Sequence, residues 1–306
     1  MSVQEIASLC EYASLEEKDS EEVLKQYQRI QEDSQLKTQL TELVKRLTKI
    51  DNSKKASELP VSHYEEKDLS CFHLIACLQS VPYMVEGHQK LKIPDRISRL
   101  CASDLATKVK EYKAIYSRTG FNCLYWFSRF IEGDIYPVGR FQYEILPLQM
   151  TLCKDKDELR YYKNEDEIPD GVERLLSPGA KGLCLHIPST GPLIPELVKE
   201  SLKGAPDFFK QYFPEYQPQF YYSVSWLFHP ALIGLLDEKS NLSAFLSQFE
   251  LVPIHNADDS DVGNRVFNCI GEEWKQMTPV NSLQKAVLKR VNEGKNWEYY
   301  GMYKSL

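Results

Sequence analysis

The spacing of hydrophobic residues changes near residue 135, and the change predicts two kinds of structure. Before this point, apolar side chains recur every three or four positions, as do Val23, Tyr27 and Ile30. This spacing lines them along one face of an α-helix. The stretch at residues 69–78 is almost wholly apolar, which is typical of a buried helix. We therefore expect residues 1–135 to form a helical domain.

After residue 135 the period of the pattern becomes two. The stretches VGRFQYEILP, GLCLHI and QFYYSVSWLF alternate apolar with more polar residues, which predicts three half-buried strands. A helix is predicted to begin at Pro195, between the second and third strands, and an interrupted helical pattern follows the third. ELVPIHN and GNRVFNCIG predict further strands, and SLQKAVLKRVNEG predicts a helix. The predicted fold class is therefore α+β, with a mixed sheet flanked by helices over residues 136–306.

Composition and charge narrow the class of protein. The chain has 306 residues, 42% of them hydrophobic, and a formal net charge of −7 without a basic block. The acidic balance argues against a nucleic-acid partner, and no apolar run approaches the roughly 20 residues that span a bilayer. The eight cysteines form no Cys-x-x-Cys pair, so neither a metal site nor disulfides are predicted. Free thiols and the lack of a signal-peptide pattern at the start predict a cytoplasmic protein.

Several stretches carry a resemblance to a known family. GRFQYE, LHIPSTGPL, SLKGAPDFF, SWLFHP and SLQKAVLKRVNEGKNW are similar to a bacterial family of acyltransferase domain-containing proteins. That family joins a helical N-acyltransferase N-terminal domain to a GNAT-like C-terminal domain. The resemblance implies transfer of an acyl group from acetyl-CoA or another acyl-CoA to an amine of a small molecule or peptide. It also implies that the pantetheine arm lies where two central strands part, here residues 183–187 and 219–228.

The resemblance further implies a position for the pyrophosphate, on amides at the start of the helix that follows the first of these strands. The turn PSTGPL at residues 188–193 would then bind it, since helix N-termini attract anions. The candidate cofactor-binding residues are Ile187, Ser189, Thr190, Gly191 and Leu193. Pro192 and Pro195 offer no N–H group, and Glu196 would repel a phosphate. A turn that only redirects the chain is therefore the alternative.

Acyl transfer from a thioester to an amine needs a base for the amine, polarisation of the carbonyl and an acid for the thiolate. Glu144, His186 and Ser225 are the candidate catalytic residues. Together with Ser223 they hold the polar positions of three strands that we expect to be neighbours. His186 is the predicted base, because imidazole titrates near neutral pH, and Ser225 would hydrogen bond near the thioester. Alternatively, these polar residues only mark the side of the sheet that faces solvent. His186 would otherwise be a hydrogen-bonded core histidine, and Glu144 would form a structural ion pair.

Two functional classes remain open from the sequence. The first is an N-acyltransferase, which the polar strand face and the order of the elements favour. The second is a non-catalytic module that keeps the GNAT fold for binding or assembly. Many GNAT enzymes protonate the thiolate with a tyrosine on the helix after the fifth strand, and residues 229–248 contain no tyrosine. This absence and the two prolines of the turn favour the second class.

Overall fold

The computed structural model describes residues 1–48, 69–260 and 262–306. The chain divides into two compact units, Met1–Pro137 and Val138–Leu306. The helices of the first unit are α1 (Val3–Tyr12), α2 (Glu17–Glu32), α3 (Ser34–Thr48), α4 (Phe72–Lys90), α5 (Asp95–Tyr116) and α6 (Leu124–Glu132).

The first unit is helical, as predicted, and α4 is its most buried helix. Phe72, Leu74 and Ile75 at the start of α4 are fully buried. The other helices each turn one apolar stripe inward, and Val23, Tyr27 and Ile30 form the buried stripe of α2. No helix in the described part of the chain is long and apolar enough to cross a membrane.

The second unit contains nearly all of the strands. The chain enters it through β1 (Ile135–Val138), which contains the division between the units. The other strands are β2 (Phe141–Ile145), β3 (Thr151–Asp155), β4 (Glu158–Tyr162), β5 (Glu173–Leu176), β6 (Gly182–His186), β7 (Phe220–Ser225), β8 (Glu250–Pro253) and β9 (Tyr300–Ser305). Its helices are α7 (Pro195–Tyr212), α8 (Ala231–Leu235), α9 (Asn241–Leu246), α10 (Val262–Phe267) and α11 (Ser282–Asn292).

The strands form two sheets. The larger sheet has the order β1-β2-β6-β7-β9-β8, and the smaller has the order β4-β3-β5. In the larger sheet β2 is antiparallel to β6, β6 is parallel to β7, and β9 is antiparallel to both β7 and β8. Helix α7 connects the two parallel strands, as parallel neighbours require a long crossover. The predicted mixed sheet flanked by helices is confirmed.

The two faces of the larger sheet are covered differently. On one face Tyr143 of β2 contacts Phe209 and hydrogen bonds Ser201 of α7, with the two hydroxyl oxygens 3.0 Å apart. On the other face a buried cluster joins both sheets. Its members are Leu148, Leu152, Tyr161, Cys184, Phe220, Tyr222, Val252 and Ile254. Because both faces are covered, polar side chains of the central strands need partners within the protein.

One strand prediction is wrong. GNRVFNCIG forms most of helix α10 instead of a strand, and Phe267 at the end of that helix stacks on Trp274 with ring centroids 5.4 Å apart. Gly263 packs directly against the Trp274 indole, where a side chain would collide. A short apolar run without strict alternation suits a helix and a strand equally, so packing decided the outcome. The sequence patterns also gave no sign of the small sheet or of β9.

Candidate functional site

The two parallel strands at the centre of the larger sheet separate before they end. Their register pairs Gly182 with Phe220, Leu183 with Tyr221 and Cys184 with Tyr222, and the ladder ends there. Both strands continue, β6 as far as His186 and β7 as far as Ser225. We call the gap beyond the Cys184–Tyr222 pair the fork. A fork between adjacent strands leaves backbone N–H and C=O groups directed at whatever lies between them.

Three side chains that carry proton-transfer chemistry lie together beside the fork. The antiparallel register places Glu144 of β2 opposite Cys184 of β6, and His186 is two residues further along β6 on the same face. The Nε2 atom of His186 lies 2.8 Å from Oε2 of Glu144. Possible ligand atoms of all three residues lie within 4.8 Å of one another. Glu144 and Cys184 are buried, whereas a quarter of the His186 side chain remains exposed.

The surroundings of His186 favour its protonated form. Burial lowers the pKa of the imidazole, whereas Cys184 and the Glu144 carboxylate raise it, and the balance raises the pKa to about 10. A nearby carboxylate stabilises imidazolium both by charge and by the hydrogen bond. The pair therefore holds a proton at neutral pH and can donate it to an anion formed nearby.

Ser225 does not share this face, so the expected grouping of Glu144, His186, Ser223 and Ser225 is wrong. Cys184 lies beside Tyr222 in the ladder, and the alternation along β7 therefore directs Ser223 and Ser225 to the opposite face. The Ser225 hydroxyl accepts a hydrogen bond from the Leu227 amide at 3.2 Å and caps the short helical turn Trp226–Phe228. Ser225 still lies at the far end of β7 and borders the fork.

The turn between β6 and α7 is organised by an arginine that the sequence patterns did not indicate. The guanidinium of Arg140 donates to the carbonyl oxygens of Pro188 at 3.1 Å, Gly191 at 2.6 Å and Pro192 at 3.1 Å. Residues 189–192 of the turn are exposed, and Gly191 has a φ of +134°. Burial lowers the pKa of Arg140, although a guanidinium remains charged in proteins. The turn thus contains a cation bound to neutral carbonyl groups.

His229 lies at a separate position and is held by its neighbours. Its Nδ1 atom accepts from the Ala231 amide at 3.1 Å, and its Nε2 atom lies 3.2 Å from the Glu298 carboxylate. Arg290 approaches the same Nε2 atom at 3.0 Å. Burial and the Arg290 charge lower the pKa of His229. These contacts indicate a structural role at the start of α8.

Comparisons with known proteins assign the chain to a family. A family described as N-acyltransferase N-terminal domain matches residues 4–133, and one described as GNAT-like C-terminal domain matches residues 135–303. The chain belongs to the family with this GNAT-like C-terminal domain, which matches more than half of it. The strands that form the fork and the Glu144–His186 pair both lie in the GNAT-like part. A search of curated proteins found no match.

Solved structures of similar fold cover nearly the whole chain. An acyltransferase in complex with decanoyl-CoA and teicoplanin has a TM-score of 0.78 at 24% identity, over 98% of this chain and 87% of that one. A mutant acyltransferase in complex with octanoyl-CoA has a TM-score of 0.80 at 24% identity, over 99% and 88%. An acyltransferase with CoA and 10C-teicoplanin has a TM-score of 0.79 at 24% identity, over 98% and 87%. These similarities establish a shared fold.

Proposed function

We propose that the protein transfers an acyl group from acyl-CoA to the amine of an acceptor. The observation that carries this proposal is the fork between β6 and β7 with the Glu144–His186 pair beside it. In a GNAT-like fold this gap is where the pantetheine arm of the cofactor belongs. The complexes of similar structures with decanoyl-CoA, octanoyl-CoA and CoA support an acyl-CoA as the donor.

In this proposal the phosphates of the cofactor bind at the turn before α7. Ile187, Ser189, Thr190, Gly191 and Leu193 supply backbone amides, and the N-terminus of an 18-residue helix adds a favourable dipole. Arg140 supplies a positive charge at the turn. This charge compensates for Pro192 and Pro195, which offer no N–H group, and for the negative charge of Glu196. By holding three carbonyl oxygens it also fixes the turn.

The proposed chemistry uses the Glu144–His186 pair twice. As a base, the deprotonated imidazole of His186 removes a proton from the acceptor amine, and Glu144 stabilises the imidazolium that results. As an acid, the imidazolium returns the proton to the departing CoA thiolate, a task for which residues 229–248 offer no tyrosine. Ser225 would act from the opposite face of the sheet, at the end of β7 that borders the fork.

The acceptor is proposed to be an amine of a small molecule or peptide. One similar structure contains teicoplanin together with decanoyl-CoA, which supports an acceptor larger than a free amino acid. A carboxylate beside an imidazole suits an ammonium group, since the carboxylate attracts the cation before the imidazole removes its proton.

Thermal unfolding of the purified protein with acetyl-CoA, octanoyl-CoA and decanoyl-CoA tests the donor. A ligand that binds only the native state raises the melting temperature. We expect Arg140→Ala to lose this increase, whereas Arg174→Ala, which removes a half-exposed cation from β5, should retain it. Release of CoA in the presence of an amine library tests the reaction. Binding without turnover would instead support a non-catalytic module, and the absence of any increase in the wild type would refute the proposal.

A further inference from the structure

Cys184 lies at the base of the fork, in the last register pair of the two parallel strands. Its side chain is on the same sheet face as Glu144 and His186, with ligand atoms of the three residues within 4.8 Å of one another. The residue is 8% exposed. A thiol, an imidazole and a carboxylate therefore meet where the proposed function places the thioester.

The surroundings of Cys184 differ from those of the other buried cysteines. Cys77 is completely enclosed, and its burial raises its pKa well above the usual value. Burial likewise raises the pKa of Cys10 to about 11 and that of Cys71 to about 12. These thiols pack as small apolar groups. Cys184 also packs in the buried cluster between the sheets, but it lies beside a histidine that is oriented by a carboxylate, which is the arrangement that activates cysteine nucleophiles.

The same three residue types also bind zinc, but the geometry argues against an ion between them. Nitrogen and oxygen ligands at about 2.0–2.1 Å from a tetrahedral zinc lie about 3.3 Å apart. The Nε2 atom of His186 and the Oε2 atom of Glu144 are 2.8 Å apart, which is a direct hydrogen bond. The imidazole is therefore oriented by the carboxylate itself.

We propose that Cys184 takes the acyl group from acyl-CoA and forms an acyl-enzyme, from which the acyl group passes to the amine. This inference rests on the proposed function, because it assumes that the acyl-CoA thioester lies in the fork. It adds a covalent intermediate and divides the transfer into two steps. His186 acts as the shared acid and base, and Glu144 positions it.

In the first step the proton of the Cys184 thiol passes to His186, and the sulfur attacks the thioester carbonyl carbon. A carbon–sulfur bond to Cys184 forms as the bond to the CoA sulfur breaks, and the imidazolium protonates the CoA thiolate. In the second step the amine nitrogen attacks the acyl-cysteine. The amide bond forms, the bond to Cys184 breaks, and His186 moves the proton from the nitrogen to the Cys184 sulfur. One thioester is consumed and one amide is formed, so no further reactant is needed.

The raised pKa of His186 supports this chemistry, since a thiolate needs imidazolium as its partner. The charged and titratable groups that act on His186 are Cys184 and Glu144, which lie on β6 and β2. The phenol of Tyr222 lies beside the thiol on β7, and its hydroxyl donates to the Leu146 carbonyl at 2.8 Å. Burial raises the pKa of Tyr222, so the phenol stays neutral and adds no charge to the thiol.

Intact-mass spectrometry of the full-length protein tests the acyl-enzyme. The protein is mixed with octanoyl-CoA without acceptor, quenched in acid within milliseconds to seconds, and digested to locate the acyl group. We expect one octanoyl group per chain on Cys184, released by hydroxylamine as a thioester should be. Cys184→Ala should lose the adduct and reduce turnover by roughly 100-fold or more. Cys153→Ala, which changes a buried cysteine in the smaller sheet, should keep both the octanoyl adduct and the turnover of the wild type.

Further measurements separate this inference from the proposed function and from loss of fold. Cys184→Ser keeps the size of the side chain, so it provides a second variant if Cys184→Ala unfolds. It should fold with an unchanged octanoyl-CoA melting-temperature increase and turn over at least tenfold more slowly. If either Cys184 variant binds octanoyl-CoA and keeps full turnover, the acyl-enzyme is refuted and the proposed function stands. The same holds if the octanoyl group is found only on another cysteine, or if the purified protein contains one zinc ion per chain. No binding of octanoyl-CoA to the wild type would refute both proposals.

Discussion

The His186 imidazole and the Glu144 carboxylate are hydrogen bonded at 2.8 Å although 42 residues separate them in the chain. The antiparallel pairing of β2 with β6 brings them together, with Glu144 diagonal to His186 across the two strands. The pair occupies the strand face beside the fork. The pair therefore depends on the register of β2 with β6, and its position beside the fork depends on where the ladder between β6 and β7 ends.

Replacement of His186 distinguishes a base from a structural histidine. We expect His186→Gln to reduce acyl transfer by roughly 100-fold or more while octanoyl-CoA binding is retained, since glutamine cannot exchange the proton. Turnover and melting temperature should be measured on the same preparation. A structural histidine would instead lower the free energy of unfolding by about 1–3 kcal/mol and leave the turnover of the folded fraction unchanged.

Removal of the Glu144 charge should move the pH dependence of the reaction. The wild-type His186 has a raised pKa, so its base form and the rate should increase as the pH rises above neutral. Glu144→Gln removes one cause of the raised pKa of His186, and the dependence of the rate on pH should therefore shift to lower pH. A profile identical to that of the wild type would exclude His186 as the group that titrates.

The same pair makes stability depend on pH with a defined sign. Since the pKa of His186 is higher in the folded protein, its stabilising contribution is complete below about pH 6.5 and is lost as the pH rises towards 10. Urea unfolding at several pH values should show this loss in the wild type. Glu144→Gln should reduce the slope, and an equal slope in both proteins would contradict the prediction.

A negative charge introduced at position 191 tests whether the turn before α7 binds phosphate. No atom lies within 4 Å of where a Cβ would be, so space permits a side chain, although the φ of +134° strains any residue but glycine. Gly191→Asp should abolish the increase in melting temperature with acyl-CoA. Gly191→Asn has the same size and backbone strain without the charge, and it should retain most of the increase. Equal losses would show that strain, and not charge, is responsible.

His88 in the helical unit should make the protein sensitive to acid. Its Nδ1 atom lies 2.8 Å from the Ser98 hydroxyl, and its Nε2 atom is buried without a hydrogen-bond partner among the described residues. Burial lowers the pKa of His88 to about 4. The contribution of neutral His88 to the free energy of unfolding is therefore complete above about pH 6.5 and is lost as the pH falls towards 4. The loss amounts to about 3 kcal/mol.

The variant His88→Gln cannot take up this proton, and it tests the acid sensitivity directly. Chemical unfolding between pH 7 and pH 4 should show a smaller loss of stability in the variant than in the wild type. Parallel losses in the two proteins would assign the acid sensitivity to other groups.

Much of the fold was predictable from local patterns. Alternation identified β2, β6 and β7, and Pro195 marked the start of α7, because these signals depend only on residues close in the chain. The family resemblance supplied the sheet and the donor class. The region of α10 was misassigned, since its short apolar run has no period that separates helix from strand.

The composition of the candidate site was only partly predictable. Glu144 and His186 were identified from their polar positions, whereas Cys184 was overlooked because a cysteine within an apolar strand is usually a packing residue. Arg140 was not identified. Its contacts with the turn span 48 to 52 residues of sequence, and no local pattern records them.

The sequence by itself determined that the segments of β2, β6, β7 and β8 are strands, and which residues alternate along β2, β6 and β7. Only the tertiary structure decided how those alternations align between strands. The antiparallel register of β2 with β6 places Glu144 opposite Cys184 and diagonal to His186. The parallel register of β6 with β7 places Cys184 beside Tyr222, which directs Ser225 to the other face. A shift of one residue in that register would reverse the assignment, because successive side chains point to opposite faces. Register is set by packing on both faces of the sheet, and a single strand contains no information about its neighbour.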